Sequence, residues 1–555
     1  MTTVDPITLE IVHNGLRSIT DEAFIALMKS AYSTNIKERR DHSVTICDLA
    51  GRLIAQAENS LPIHLASMLG LMEKVLEKVP LADMREGDIF VANDPHVAGG
   101  THLPDVNMAM PVFVGGRLLA FVCNIAHHAD IGGMVPGSMA GGTEIYQEGL
   151  RIPVIRLFRA GVLQDDILDL LLLNVRVPME RRGDYFAQVA ACRLGERRLV
   201  ELAETWSPAT LDAVFDEVVA RTERRMRDAI GRIAPGIYTF ADVMDDDGFG
   251  AHDIPIRCRI EIDGGRFHID FTGSGAQVAG NINLKLSGTV AAVAYALKAL
   301  LDPDVPNNHG VLQAIEVAVP EGTILNARFP AAVAARANTC QRVIDVVLGA
   351  LAPALPDRAV GAANGANTTA VFSGTNPATG ADYLYLETLG GGFGGRATKD
   401  GKDGVQVHIT NTSNLPVEAI EMEYPLLVES YGLVEDSGGA GQHRGGLGLR
   451  RVVRPLGHTA VFSGQGERFA HRPWGIFGGE PGACGRFLLR KADGTTSPLP
   501  PKPSSMPVTS DQALVVETPG AGGYGEPSRR LASDVEGDRR QGKFSAAYLE
   551  QNYRR

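Results

Sequence analysis

The chain has 555 residues, enough for about three or four core units at the usual domain size. Hydrophobic residues make up 44% and charged residues 21%, which is ordinary globular composition and excludes wholesale disorder. The net charge of −12 is spread along the chain, which favours solubility and disfavours nonspecific nucleic-acid binding.

The first helix signal is Asp5-Pro6, a capping carboxylate before a first-turn proline, followed by Ile7, Ile11, Leu16 and Ile19 at roughly helical spacing. Residues 43–48 and 52–55 read as strands joined by a turn at Gly51. Residues 64–79 read as a helix, with Leu65, Met68, Leu69, Met72 and Leu76 on one face. A short apolar strand at 87–92 ends in the turn Asn93-Asp94-Pro95, and a hairpin-like unit follows, 110–114 and 118–125 about Gly115-Gly116. Its second strand runs into His127-His128-Ala129-Asp130, and polar residues at the end of an apolar strand are a common place for a site.

Ser207-Pro208 opens a helix striped by Leu211, Val214, Phe215, Val218, Val219, Met226, Ile230 and Ile233. It stops at Ala234-Pro235-Gly236, where we expect a soft boundary. Residues 257–262 and 266–271 form a hairpin signal around Asp263-Gly264-Gly265. Helical signals return at 289–301 and 338–351. Glycine clusters at 390–395 and 438–446 read as tight turns in strand-rich sequence rather than anion-holding nests. The expected organisation is α+β: residues 1–236 a mixed α/β region carrying the site, 237–527 β-rich with glycine turns and interspersed helices, and 528–555 a polar tail, either a surface helix or a partner-docking segment.

Six cysteines are far apart with no CxxC pair, so a reduced cytoplasmic protein is the simplest expectation. The start, MTTVDPITLEIV, lacks the basic and apolar regions of a signal peptide, and residues 288–301 are too short an apolar run to span a bilayer.

The densest set of ligand-type residues lies between Asp94 and Asp130. Imidazole and carboxylate together suit a divalent metal such as zinc, manganese or iron. His102 and Asp105 are three apart around Pro104, a spacing that lets both reach one centre, and His127 would approach from another side. Three protein ligands leave a position for water, the open arrangement of a catalytic site. The plain alternative is chance proximity among 14 histidines, and we read His96 and His128 as hydrogen-bonded loop or core residues. There is no G-x-x-x-x-G-K-[ST] loop and no G-x-S-x-G elbow. Cys340 reads as a small hydrophobe, Asp245-Asp246-Asp247-Gly248 as an acidic turn, and Arg39-Arg40-Asp41-His42-Ser43 by itself as a solvated face or salt-bridged cap.

Several ordered stretches carry a family resemblance: GDIFVANDPHVAGGTHLPDV, NIAHHADIGGMVPGS, YQEGLRIP, GDYFAQVAA, DFTGSGAQVAGNIN, LGGGFGGR, DGKDGVQVH, NLPVEAIEMEYPLLV, EDSGGAGQHRGGLG and TPGAGGYGEP. By these the chain resembles the hydantoinase B / 5-oxoprolinase family over nearly its whole length. The resemblance implies a two-component enzyme. A HyuA-like ATP-binding subunit would phosphorylate the carbonyl oxygen of a cyclic amide (a hydantoin, N-methylhydantoin, 5-oxoproline or a lactam), and this chain would hydrolyse the activated product with a divalent metal. It also implies metal ligands at His102, Asp105 and His127, and adds Asp41 as a further acid. A carboxylase branch acts on ketones but tends to have longer metal-bearing subunits. A non-catalytic scaffold for the ATP-using partner is the remaining alternative.

Overall fold

The computed structural model describes residues 4–553 as a mixed α/β chain with four sheets. The opening helix, Pro6–Ser30, is capped as its sequence predicts, Asp5 Oδ1 accepting from the N–H groups of Ile7 and Thr8. Such a cap contributes about 1 kcal/mol.

Seven strands form the first sheet: β1 (His42–Cys47), β2 (Leu53–Gln56), β3 (Ile89–Ala92), β4 (Asp105–Val114), β5 (Arg117–His127), β6 (Ile155–Arg159) and β7 (Val162–Leu163), in the order β2-β1-β5-β4-β3-β6-β7. All neighbours are antiparallel. Both faces are covered. Helix His64–Lys78 packs on Phe121, Cys123 and Ile125. Helices Pro6–Ser30 and Pro178–Trp206 cover Val122, Val106 and Met108 on the other side. That explains why β5 reads as a continuous apolar run rather than an alternating one. Removing a ring as buried as Phe121 would cost about 3–5 kcal/mol.

Helix Pro178–Trp206 was not legible in the sequence. Its buried side includes Arg181, Asp184, Gln188, Ala191 and Cys192, so no apolar stripe marks it.

The second sheet is β8 (Gly236–Asp246), β9 (His252–Asp263), β10 (Arg266–Asp270) and β11 (Ile315–Ala318), ordered β11-β10-β9-β8. The expected hairpin is present, with Asp263 opposite Arg266. Helix Arg336–Leu351 packs on this sheet with every residue buried, and helix Leu286–Leu301 packs against that helix in turn. The acidic stretch is more than a turn: Asp245 and Asp246 end β8, and the Asp245 carboxylate accepts from the N–H groups of Phe469, Ala470 and His471.

Two further sheets share one core that includes Phe372, Tyr385, Phe462, Phe487 and Val516. One holds β12 (Thr368–Thr375), β13 (Asp382–Leu389), β16 (Ala460–Gln465) and β19 (Met506–Val508). The other holds β14 (Leu426–Leu433), β15 (Leu449–Pro455), β17 (Arg486–Arg490), β18 (Thr496–Pro498) and β20 (Ala513–Glu517).

The glycine clusters are neither tight turns nor nests. None of Gly390 to Gly395 has positive φ. Their N–H groups bond across to other extended segments, as Gly391 to the Val405 carbonyl and Gly395 to that of Gly522. A Cβ on Gly394 would sit 1.8 Å from the Gly361 carbonyl oxygen, so the backbones approach too closely for a side chain. The polar C-terminal residues form helices Ala532–Arg540 and Ala546–Tyr553, with Phe544 and Leu549 packed against Leu447. All six cysteines are unbridged. Among the described residues no helix is long and apolar enough to cross a membrane.

Candidate metal centre

Three adjacent strands of the first sheet bring the acids and one histidine together. Asp105 opens β4 and pairs in register with His127, the last residue of β5. The His127 N–H donates to the carbonyl of Asp41, which directly precedes β1. His102 sits on the turn before β4, closed by the Asp105 N–H on the His102 carbonyl at 3.3 Å. Ligand-capable atoms of His102, Asp105 and His127 all lie within 4.8 Å of one another, and the three residues are buried. His102 Nε2 is 2.9 Å from Asp105 Oδ1.

Asp41 is also buried, which corrects the solvated-face reading. Its carboxylate lies 3.7 Å from the Arg39 guanidinium and 3.7 Å from His64 Nε2. His64 Nε2 is in turn 3.9 Å from Asp105 Oδ1. His128 points elsewhere, as alternation along a strand requires: it bonds Gln188 Oε1 and packs on Tyr185. His96 bonds the Ala331 carbonyl.

The surrounding shell orients the donors. The Ala334 carbonyl accepts from His102 Nδ1 at 2.9 Å, which leaves Nε2 as a bare lone pair. Asp105 Oδ2 accepts from Arg336 Nη2 at 2.5 Å and from the Thr101 hydroxyl at 3.2 Å, which turns Oδ1 inward. Arg336 Nε also donates to Thr101. Among the described residues His102 Nε2 and Asp105 Oδ1 meet only each other, and with the His102 proton held on Nδ1 neither has a donor to offer. Two such acceptors side by side in a buried site fit a cation, since an unsatisfied buried polar atom is otherwise costly. His127 fits less simply. Asn35 Nδ2 donates to its carbonyl and approaches Nδ1 at 3.0 Å, so the neutral ring keeps its proton on Nε2, and a cation there would displace it.

Electrostatics agree with a cation site. Burial pushes Asp41 up to about 7, against the opposing pull of Arg39. Burial pulls His64 down to about 4 and holds His102 and His127 below the ordinary imidazole range, the nearby Arg336 adding to the effect. Burial would raise Asp105 too, but His102 and Arg336 together outweigh it and hold its carboxyl well below the usual range. An ionised carboxylate beside imidazoles whose charged form burial disfavours suits a divalent ion.

The donors face a narrow cavity of about 30 Å³, lined also by His64, Arg336, Thr388, Thr410 and Thr412. A water needs roughly 10–15 Å³, so this is room for an ion and a water or two. His64, Arg336 and the three threonines were not found from the sequence. His64 reads there only as the first residue of a helix, and the others come from segments more than 200 residues from His102.

Residues 5–527 match the sequence model of the Hydantoinase B/oxoprolinase family. The chain is 33% identical to the B component of a putative D-/L-hydantoinase of Pseudomonas sp. (strain NS671), over 96% of this chain and 92% of that one. It is 32% identical to the beta chain of the caprolactamase of Pseudomonas jessenii, over 98% and 95%. The crystal structure of the ATP-dependent caprolactamase from that organism superposes with a TM-score of 0.92, at 30% identity, covering all of this chain and 96% of that one. Acetone carboxylase shares the fold at a TM-score of 0.87 and 20% identity, over 99% of this chain and 79% of the other. The chain belongs to the hydantoinase B/oxoprolinase family.

Proposed function

We propose that this chain is the hydrolytic subunit of an ATP-dependent cyclic-amide hydrolase, with Asp41, His102, Asp105 and His127 holding one divalent ion (zinc, manganese or iron). The observation that carries the reading is the convergence of His102, Asp105 and His127 on one buried point, with His102 Nε2 and Asp105 Oδ1 facing only each other. The names of the relatives, hydantoinase, caprolactamase and 5-oxoprolinase, support the substrate class. The ATP dependence of the Pseudomonas jessenii caprolactamase supports the use of ATP. Two relatives are single components of larger enzymes, which supports a partner, and we take it to be HyuA-like.

An amide is a poor electrophile because resonance stabilises it. The partner would transfer the γ-phosphoryl of ATP to the amide oxygen, giving an imidate phosphate and ADP. Water adds to that carbon, the C–N bond breaks and the ring amine takes up a proton. A second water converts the acyl phosphate to carboxylate and inorganic phosphate, so each step is easier than direct hydrolysis. A divalent ion in the site would supply a water of lowered pKa.

This chain's residues set up the rest. Arg336 and Thr101 hold Asp105 Oδ2, and the Ala334 carbonyl holds His102. Ser43 Oγ accepts from the Leu61 N–H and lies 2.8 Å from His64 Nδ1. With the hydroxyl donating to Nδ1, the ring proton of His64 sits on Nε2, facing Asp41 and Asp105. That N–H is placed to orient the two carboxylates, and burial keeps the ring neutral while it does so.

The test is reconstitution with the ATP-using partner, with metal content measured and ATP hydrolysis screened over hydantoins, 5-oxoproline, lactams and ketones. We expect one tightly bound divalent ion and amide-dependent turnover, both lost in His102→Ala. Full activity of a metal-free preparation would overturn the reading. Bicarbonate-dependent turnover with ketones alone would favour a carboxylase, and full turnover by the alanine variant a scaffold.

A further inference from the structure

A second, larger cleft of about 530 Å³ adjoins the metal cavity and shares Thr412 with it. Arg396 and Lys402 line it, with Asn411, Thr412, Ser413 and Asn414. No acidic residue is among the described residues lining it, in a chain of net charge −12. The two carboxylates closest in sequence are engaged by other cations. Asp400 takes both terminal nitrogens of Arg530 at 2.7 Å. Asp403 takes Arg444 at 2.7 Å and Lys543 at 3.0 Å.

Arg396 feels Asp400 only at longer range, and its guanidinium lies 5.6 Å from the Phe393 ring centroid. Among the described residues neither Arg396 nor Lys402 has an ion-pair partner, Arg396 Nη2 reaches only the Asp400 carbonyl, and Arg396 Nε is buried without a partner. A guanidinium and an ammonium beside hydroxyl and amide side chains make a donor set for a tetrahedral oxyanion. The wall between cleft and cavity is thin. Ser413 donates its N–H to the Arg39 carbonyl, while the Arg39 side chain reaches Thr388 and Asp41 in the metal cavity.

We propose that this cleft is a phosphate subsite, in which Arg396 and Lys402 hold the phosphoryl group of the phosphorylated substrate before that substrate enters the neighbouring metal cavity. The identity of that ligand rests on the hydrolase reading above; the anion chemistry of the cleft does not. The shared chemistry is a dianionic phosphate, either free or as a monoester, and two probes separate the sources.

The experiment titrates the full chain, in chelator so that no metal carries the anion, with inorganic phosphate and separately with phenyl phosphate by calorimetry. We expect saturable, salt-sensitive binding, tighter for the monoester. Arg396→Met and Lys402→Met should each weaken it by about tenfold or more, while Lys491→Met on a distant exposed turn leaves it unchanged. Lys402 is exposed, so Lys402→Met tests the idea even if Arg396→Met fails to fold. Tighter binding of inorganic phosphate than of the monoester would overturn the substrate assignment and make the cleft a site for released phosphate. Absence of binding, or equal binding by both variants, would overturn the subsite altogether, whatever reaction the reconstituted enzyme performs. Conversely, the subsite survives if the substrate screen finds no amide.

Discussion

Glu148 offers a clean test of how the shell around His102 is held. Its Oε1 accepts from the N–H groups of Val333 and Ala334 at 2.8 and 2.7 Å, and the Ala334 carbonyl anchors His102 Nδ1. Its Oε2 is buried with no partner among the described residues. Burial pushes the carboxyl from 4.5 up to about 8, only partly opposed by the two peptide N–H groups and Arg336. It is therefore neutral at physiological pH. A folded pKa raised above the unfolded value gives stability that is full below the unfolded pKa and lost as pH rises through the folded one. Between about pH 6 and about pH 9, this single group should destabilise the native chain by about 2–3 kcal/mol. Glu148→Gln keeps the acceptor and removes the titration. Urea unfolding in chelator at both pH values should show the variant gaining on the wild type by that amount as pH rises. An unchanged gap would mean that Glu148 is ionised throughout and that the neutral-carboxyl account of this anchor is wrong.

Three further outcomes are expected. Asp105→Asn should abolish metal uptake and leave Arg336 buried without its carboxylate, costing about 3–5 kcal/mol of stability, read by elemental analysis and thermal melting. Arg336→Lys should lose the Nε contact to Thr101 and weaken metal affinity by about ten- to a hundredfold in chelator competition; an unchanged affinity would show that this shell does not orient Asp105. With Asp41 titrating near 7, a proton competes with the ion below that pH. Metal affinity should fall by up to about tenfold per pH unit from this group, and Asp41→Asn should flatten that part of the slope.

The sequence by itself determined the pieces whose signals are local. A cap and a first-turn proline mark helix Pro6–Ser30, and an Asp-Gly turn marks the β9–β10 hairpin. The convergence of His102, Asp105 and His127 was legible because one hairpin brings them together, Asp105 lying opposite His127 across β4 and β5. Asp41 came only through family resemblance, since its own segment reads as a solvated face or salt-bridged cap and only pairing of β1 with β5 buries it beside His127.

Tertiary structure alone decided what surrounds those residues. Arg336 opens a helix whose sequence marks only burial, yet its guanidinium holds Asp105, 231 positions away. The glycine clusters looked like turns because glycine's permissive φ is its commonest use; here the missing Cβ lets distant backbones touch. Periodicity and turn chemistry reflect contacts between near neighbours along the chain. The orienting shell, the thin wall at Thr412 and the unpaired Arg396 and Lys402 depend on which remote segments meet, and no local pattern records that.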